Sequence, residues 1–346
     1  MLISAPTNFD YRLLRTLHSS VYDVYGNINR DGESIVPSLF LPLISLRHLK
    51  QYIAHAHACG VKFNYIMNHP HILPTNETQQ FLDMLRNSAV DIVTISNPEL
   101  IAFVKKYYPF QICSSIMSKI NSINKVREYI KCGCDIICID YHKNYDFDFI
   151  KEIKGLNVKV KLLVNNICLP DCPYEEGHWE KGVFYDKSTL HCLRLKLEQP
   201  ALIEQSGFIR PNDIWRYEKI GVDYIKIGGR TKPTSWIVRC VRYYADRRHA
   251  KNYFYIMNTL GTENRYRLPL RTVVFLIPSW SIAILFRCLF YITRRKLFYV
   301  LSKEKNLKSL LRIILSSPPF TMTDHGVQID KRKKTALLRE IDKAIT

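Results

Sequence analysis

The chain has 346 residues, 47% of them hydrophobic, and carries 50 Lys and Arg against 31 Asp and Glu for a formal net charge of +19. That much apolar content buries a sizeable core and excludes a disordered chain. Ten cysteines in this length do not make the dense framework of a small disulfide-stapled domain, no signal-peptide pattern opens the sequence, and a cytoplasmic protein is expected.

Eight short apolar runs follow in order: Leu2–Ala5, Val21–Tyr25, Lys62–Met67, Asp91–Ile95, Phe110–Cys113, Asp135–Ile139, Val158–Val164 and Tyr224–Ile227. Each ends in small or polar residues and gives way to a stretch of helical character. Leu46, Leu49, Ile53 and Ala56 share one helical face, and Val126, Tyr129 and Ile130 another. Gly60, Gly133, Gly155 and Gly221 stand just before strands, where a helix stops in a left-handed residue that glycine adopts cheaply. Eight β-then-α units in about 250 residues predict an α/β protein of the (β/α)8 barrel type over residues 1–248. A doubly wound open sheet is the rival, and the count of eight weighs against it.

In a closed barrel the residues after each strand converge on one face. They are Asn8, Gly26, Asn68, Ser96 with Asn97, Ser114 with Ser115, Asp140, Asn165 with Asn166, and Gly228-Gly229-Arg230. Asn68, Ser114, Asn165 and Arg230 are expected around a pocket for a polar substrate, although Asn, Ser and Gly also end strands simply because they make turns. Asp140 and His142 are placed to act as a proton-transfer pair, with structural hydrogen bonding as the alternative. The seventh connection is oversized: an insertion at 165–208 carries Cys168, Cys172, His178, His191 and Cys192 with Trp179 and Tyr185. Cys168 and Cys172, three residues between them, lie directly behind an apolar strand, where two thiols can grip a metal ion or an iron–sulfur cluster.

Several segments resemble a known family. Phe63-Asn-Tyr-Ile-Met-Asn68, Ile112-Cys-Ser-Ser115, Gly133-Cys-Asp-Ile-Ile-Cys-Ile-Asp140, Cys168-Leu-Pro-Asp-Cys172-Pro-Tyr, Phe208-Ile-Arg-Pro-Asn-Asp213 and Tyr224-Ile-Lys-Ile-Gly-Gly-Arg230 are similar to the collagenase-like peptidases of family U32, over about residues 1–248. The resemblance implies a barrel in which cysteines hold a four-iron cluster, with oxygen-independent hydroxylation of RNA bases or a quinone precursor as the activity of several members. It puts Cys168, Cys172 and Cys192 at cluster-ligand positions and Lys226 with Arg230 on the Lys-Ile-x-Gly-Arg strand, Lys226 as a substrate-binding residue and Arg230 as a catalytic one. The chain departs from the pattern at Trp215, where relatives often place the last cysteine. His178 is a candidate fourth ligand, Cys240 and Cys113 are others, and a zinc ion held by three cysteines and a histidine fits the same residues.

Cys59, Cys132, Cys134, Cys138 and Cys288 are expected to be packing residues. His55 and His57 are two apart and cannot share a helix face, whereas His69 and His71 follow Asn68 at the rim. Neither Gly-x-Ser-x-Gly nor His-Glu-x-x-His occurs, so peptidase chemistry, the alternative function together with a zinc-stabilised peptide-handling module, would rest on a cysteine such as Cys168 paired with His178.

From Val241 to Thr346 there are 21 Lys and Arg against 7 Asp and Glu, a net of +14, most of it in a basic, partly apolar helical extension, residues 249–346. The apolar run from Val273 to Ile292 is interrupted by Pro278 and Arg287, which counts against a spanning helix and suits peripheral membrane contact through 268–300 at the inner membrane face. Helices packed on the barrel with a solvated basic face are the competing expectation. A small molecule or RNA as substrate, and an electron donor or partner subunit, complete the expected partners.

Overall fold

The computed structural model describes residues 1–28, 44–170, 172–173, 175, 187–230, 232–258 and 319–345. His178, Trp179, Tyr185 and the apolar run 273–292 lie outside the described residues.

Strands β1 (Leu2–Pro6), β2 (Asp23–Gly26), β3 (Lys62–Met67), β4 (Ile92–Ile95), β5 (Gln111–Ser114), β6 (Ile136–Cys138), β7 (Lys159–Leu163) and β8 (Tyr224–Lys226) pair in parallel and in sequence order. The ring closes where Leu2, Ile3 and Ser4 of β1 meet Tyr224, Ile225 and Lys226 of β8. The strands fall within two residues of the predicted runs. Alternation sorts them into two faces. Ile3, Ala5, Val24, Phe63, Tyr65, Val93, Ile112, Ile137, Val160, Leu162 and Ile225 join the core under the helices, whereas Ile92, Cys113, Ile136, Cys138, Leu163 and Tyr224 form a second apolar cluster inside the ring.

Helices α1 (Tyr11–Leu17), α2 (Leu46–Ala58), α3 (Asn76–Arg86), α4 (Pro98–Tyr107), α5 (Ile123–Lys131) and α6 (Phe147–Gly155) follow the first six strands. Their starts are written locally: Asp10, Ser45, Thr75, Asn97 and Asp146 each accept a first-turn backbone N–H, and Pro98 opens α4 where no N–H is needed. Gly60, Gly133 and Gly221 take positive φ as expected, but at Gly155 the prediction fails, since the left-handed residue there is Asn157 at φ 55°. Asparagine tolerates that conformation, so the stop moves two residues on.

The connection after β7 is not one long loop. It contains α7 (Lys187–Glu198), α8 (Ala201–Glu204) and α9 (Ile214–Lys219), which returns the chain to β8; α10 (Thr234–Ala245) then closes the barrel wall. In the tail, a 3-10 turn at Tyr253–Ile256 precedes a hairpin, β9 (Phe320–Thr323) against β10 (Gly326–Ile329), which is followed by α11 (Lys331–Ile345). The hairpin departs from the all-helical expectation. It is fastened to the barrel by Phe320 against Phe254, ring centroids 5.2 Å apart, and by Glu204, which accepts the Val327 N–H at 2.6 Å. Leu337 and Ile341 of α11 are buried, and Arg194 of α7 pairs with Asp342 at 2.7 Å. No described helix is long and apolar enough to cross a membrane.

Asp10 ties the first and last barrel helices together: it caps α1, pairs with Arg12 at 2.7 Å and accepts the Thr234 hydroxyl at 2.7 Å. The Arg12 hydrogen bond, helped by Thr234 against a burial penalty, lowers its carboxyl from 3.8 to about 2. Asp146, facing Lys143, and Asp324, facing His249, are lowered as well. Carboxylates held below their unfolded values stabilise the fold at higher pH, and the unfolded chain binds the extra protons as pH falls. Denaturation midpoints measured against pH should therefore fall between pH 3.8 and about 2, and Asp10→Asn should flatten part of that fall. An unchanged slope in the variant would sink the assignment.

Candidate active site at the barrel mouth

The interior of the ring is charged. Asp23 on β2 accepts hydrogen bonds from the Ser4 hydroxyl at 2.7 Å and the Asn64 amide at 3.3 Å, and the Thr94 hydroxyl donates to Asn64 Oδ1 at 2.8 Å. Lys161 Nζ on β7 sits 3.8 Å from Asp23 Oδ1, 3.4 Å from Ser4 Oγ and 5.1 Å from the Tyr224 ring centroid. Both members of this ion pair are fully enclosed. Burial opposes the Lys161 charge, but Asp23, with Cys113 and Cys138, outweighs it and holds the pKa above the usual lysine value.

Nearer the C-terminal ends of the strands lies Lys226 on β8, its ammonium 4.4 Å from the centre of the Tyr25 ring. Burial pushes its pKa down, and the neighbouring Lys161 and Arg230 cations add to that against Cys138 and Cys113. Tyr25 is oriented by donating its hydroxyl to the Ile227 carbonyl at 2.6 Å. Arg230, just past β8, donates to Asn27 Oδ1, and burial lowers its guanidinium to about 10. Cys138 closes this group from β6, its thiol raised to about 12 by burial within the fields of Lys226, Lys161 and Asp140.

Asp140 and His142 do come together: Asp140 Oδ1 accepts the His142 backbone N–H at 3.0 Å and lies 3.3 Å from Nδ1. His142 Nε2 is buried without a hydrogen-bond partner among the described residues, and the ring stands edge-on to Tyr141, centroids 4.3 Å apart. Tyr141 in turn donates to Glu175, and its hydroxyl lies beside Cys168. The rim is held against Tyr141 by Gly207, where a Cβ would come within 2.1 Å of the Tyr141 carbonyl oxygen.

Cys168 is partly exposed as a residue while its thiol is enclosed, and burial raises its pKa against the pull of Lys196. Cys192 on α7 is close enough to raise it further. The two cysteines, 24 positions apart in the sequence, thus lie within electrostatic reach of one another, and Lys196 acts on the same thiol. Cys172 is half-buried in the same connection. Among the described residues no three His, Cys, Asp or Glu side chains stand close enough to hold one metal ion.

The remaining expected residues occupy different places. Ser114 is buried, and its hydroxyl accepts the Cys138 N–H at 2.8 Å. Asn165 is also buried and spends its amide on backbone, donating to the carbonyls of Gly228 at 3.1 Å and Ile256 at 3.2 Å and accepting the Gly228 N–H at 2.7 Å. Asn68 stays at the rim, its carbonyl accepting the Ser96 hydroxyl at 2.7 Å. Cys240 donates to the Ile256 carbonyl at 3.0 Å and Cys113 to that of Ser114 at 3.3 Å. Trp215 is exposed on α9. The polar interior residues Asp23, Asn64 and Lys161 were missed by attention to strand ends. Their signal was a charged or amide side chain at an inward position of an otherwise apolar strand.

No protein-family model matches the chain. A curated relative, an uncharacterized protease of Methanocaldococcus jannaschii, is 28% identical over 255 residues, covering 67% of this chain and 75% of the relative. Among solved structures, a U32 peptidase aligns with a TM-score of 0.45 and 13% identity over 66% of this chain and 94% of its own. N-(5'-phosphoribosyl)anthranilate isomerase from Pyrococcus furiosus aligns with a TM-score of 0.39 and 8% identity over 71% of this chain and 98% of its own. The closed ring and its polar mouth define a (β/α)8-barrel protein. Within that class, the chain is similar to the Methanocaldococcus protease across most of the barrel.

Proposed function

We propose that the chain is an iron–sulfur-dependent enzyme of the U32 type that modifies a small aromatic or RNA substrate at the barrel mouth by oxygen-independent hydroxylation or a related reaction. The observation that supports this reading is that Cys192 and Lys196 both act electrostatically on the enclosed Cys168 thiol, in a connection that also carries Cys172. Thiolates are the donors an iron–sulfur cluster takes, and a nearby ammonium offsets the negative charge that such ligands bring. Cys168, Cys192 and Cys172 would hold the cluster, which would supply one-electron chemistry. A cluster is larger than a single ion, so its ligands stand farther apart than those of zinc. The chain's own contribution is the Asp140–His142 pair, suited to moving a proton at His142, and Arg230 and Lys226, suited to orienting an anionic group.

Anaerobic purification followed by iron and sulfide analysis tests the proposal. Bound iron with matching sulfide is expected, with loss of most of it in Cys168→Ser and Cys192→Ser variants that keep their circular dichroism. Colourless, iron-free wild-type protein prepared in this way would reject the reading, and zinc in its place would favour the metal-stabilised alternative. A peptidase is the second reading, favoured by the description of the Methanocaldococcus relative.

A further inference from the structure

Helix α11 carries more charge than its packing uses. Its apolar residues Leu337 and Ile341 are buried and Asp342 is held by Arg194 of α7, whereas Lys331, Arg332, Lys333 and Arg339 are exposed. Lys333 has one counter-ion, Asp330 at 3.9 Å, and that carboxylate is already engaged by the backbone N–H groups of Arg332 and Lys333, at 3.0 and 3.1 Å. Lys331, Arg332 and Arg339 have no ion-pair partner among the described residues. Three of these cations stand in the first turn, at the positive end of the helix dipole, where positive charge weakens a helix. The fold gains nothing from them there. The hairpin nevertheless fixes the base from which they project, since Asn252 accepts the Met322 N–H at 3.1 Å and the Tyr253 hydroxyl donates to Asp324 at 3.0 Å.

We infer that the exposed face of α11 is a docking surface for a membrane rich in anionic phospholipid, with Lys331, Arg332, Lys333 and Arg339 meeting the charged headgroups. A cluster of about four such cations on an amphipathic helix is the pattern that holds to anionic lipid. Arg332 and Arg339, two helical turns apart, share one side of the helix at a spacing of about 10 Å, a row that suits a flat surface better than a pocket. Helix α11 contains no aromatic residue, so it lacks the stacking platforms by which proteins hold single-stranded nucleic acid. In the sequence another basic run of the tail, Arg294-Arg295-Lys296, closes an apolar stretch with Trp280 and Tyr291, the composition of an interfacial segment. Contact through α11 itself is electrostatic, because its apolar residues Leu337 and Ile341 are already buried. The barrel mouth takes no part, and the inference stands apart from the iron–sulfur reading.

The full chain is sedimented with sucrose-loaded vesicles of phosphatidylcholine alone, and of phosphatidylcholine with phosphatidylserine as about a third of the lipid, each at low and at high salt. Binding should require phosphatidylserine and fall steeply as salt rises. The triple variant Lys331→Gln, Arg332→Gln, Lys333→Gln should bind about fivefold more weakly for each charge removed, on the order of a hundredfold in all. A second triple variant, Lys50→Gln, Lys106→Gln, Lys151→Gln, removes the same charge from exposed positions on α2, α4 and α6, and its binding should stay within about twofold of wild type. Equal binding of wild type to neutral vesicles would overturn the inference, because apolar insertion would then carry the contact. An α11 variant that binds no more weakly than the second variant would overturn it as well. Wild type that ignores the vesicles but binds RNA, with that binding lost in the α11 variant, would overturn the lipid assignment and give the surface to nucleic acid. The lipid and salt dependence are read on wild-type protein, so neither depends on a variant that fails to fold.

Discussion

Asp23→Ala is expected to destabilise the barrel by about 3–5 kcal/mol, the usual consequence of removing one member of a buried ion pair. The loss has two sources. Lys161 would keep a charge with no carboxylate near it, and the Ser4 hydroxyl and the Asn64 amide would lose their acceptor in a region closed to water. Urea denaturation should show the midpoint dropping with little change in slope. The double variant Asp23→Val with Lys161→Met should recover most of the loss, because two apolar side chains of similar volume carry no desolvation cost. A single variant within about 0.5 kcal/mol of wild type would mean that water reaches the pair.

Asn165→Ala is the second large effect, with about 1–3 kcal/mol expected for each buried backbone group left without a partner. Two such groups are at stake, the N–H and carbonyl of Gly228, since the Ile256 carbonyl keeps the Cys240 thiol, and the amide joins the end of β7 to the turn after β8 and to the chain beyond α10. The variant should melt well below wild type and lose protection from hydrogen exchange around Gly228. A well-folded variant that had lost only substrate binding would return Asn165 to the pocket lining, where the sequence pattern put it.

That contrast marks where sequence reasoning ran out. The eight strands were legible because each is a short apolar run bounded by turn-forming residues and followed by a capped helix, signals that act over a few positions. Asp140 and His142 were legible as a pair for the same reason, being two residues apart. Asn165 and Ser114 were ambiguous, since an amide or hydroxyl at a strand end can face a ligand or satisfy backbone, and the choice depends on segments far away. Asn165 meets Ile256, 91 positions on, and Ser114 meets the Cys138 N–H, 24 positions on.

By itself the sequence determined the class of architecture, the strand positions within two residues and the rim on which polar residues gather. These follow from periodicity and local backbone preference, which need no knowledge of distant neighbours. Only the tertiary structure decided that Lys161 is paired with Asp23 inside the ring, that Cys192 stands on a helix rather than a loop, and that part of the basic tail is a hairpin against the barrel wall. The physical reason is common to all three. Burial and electrostatic environment are sums over side chains from separate strands, and those sums do not exist until the ring has closed.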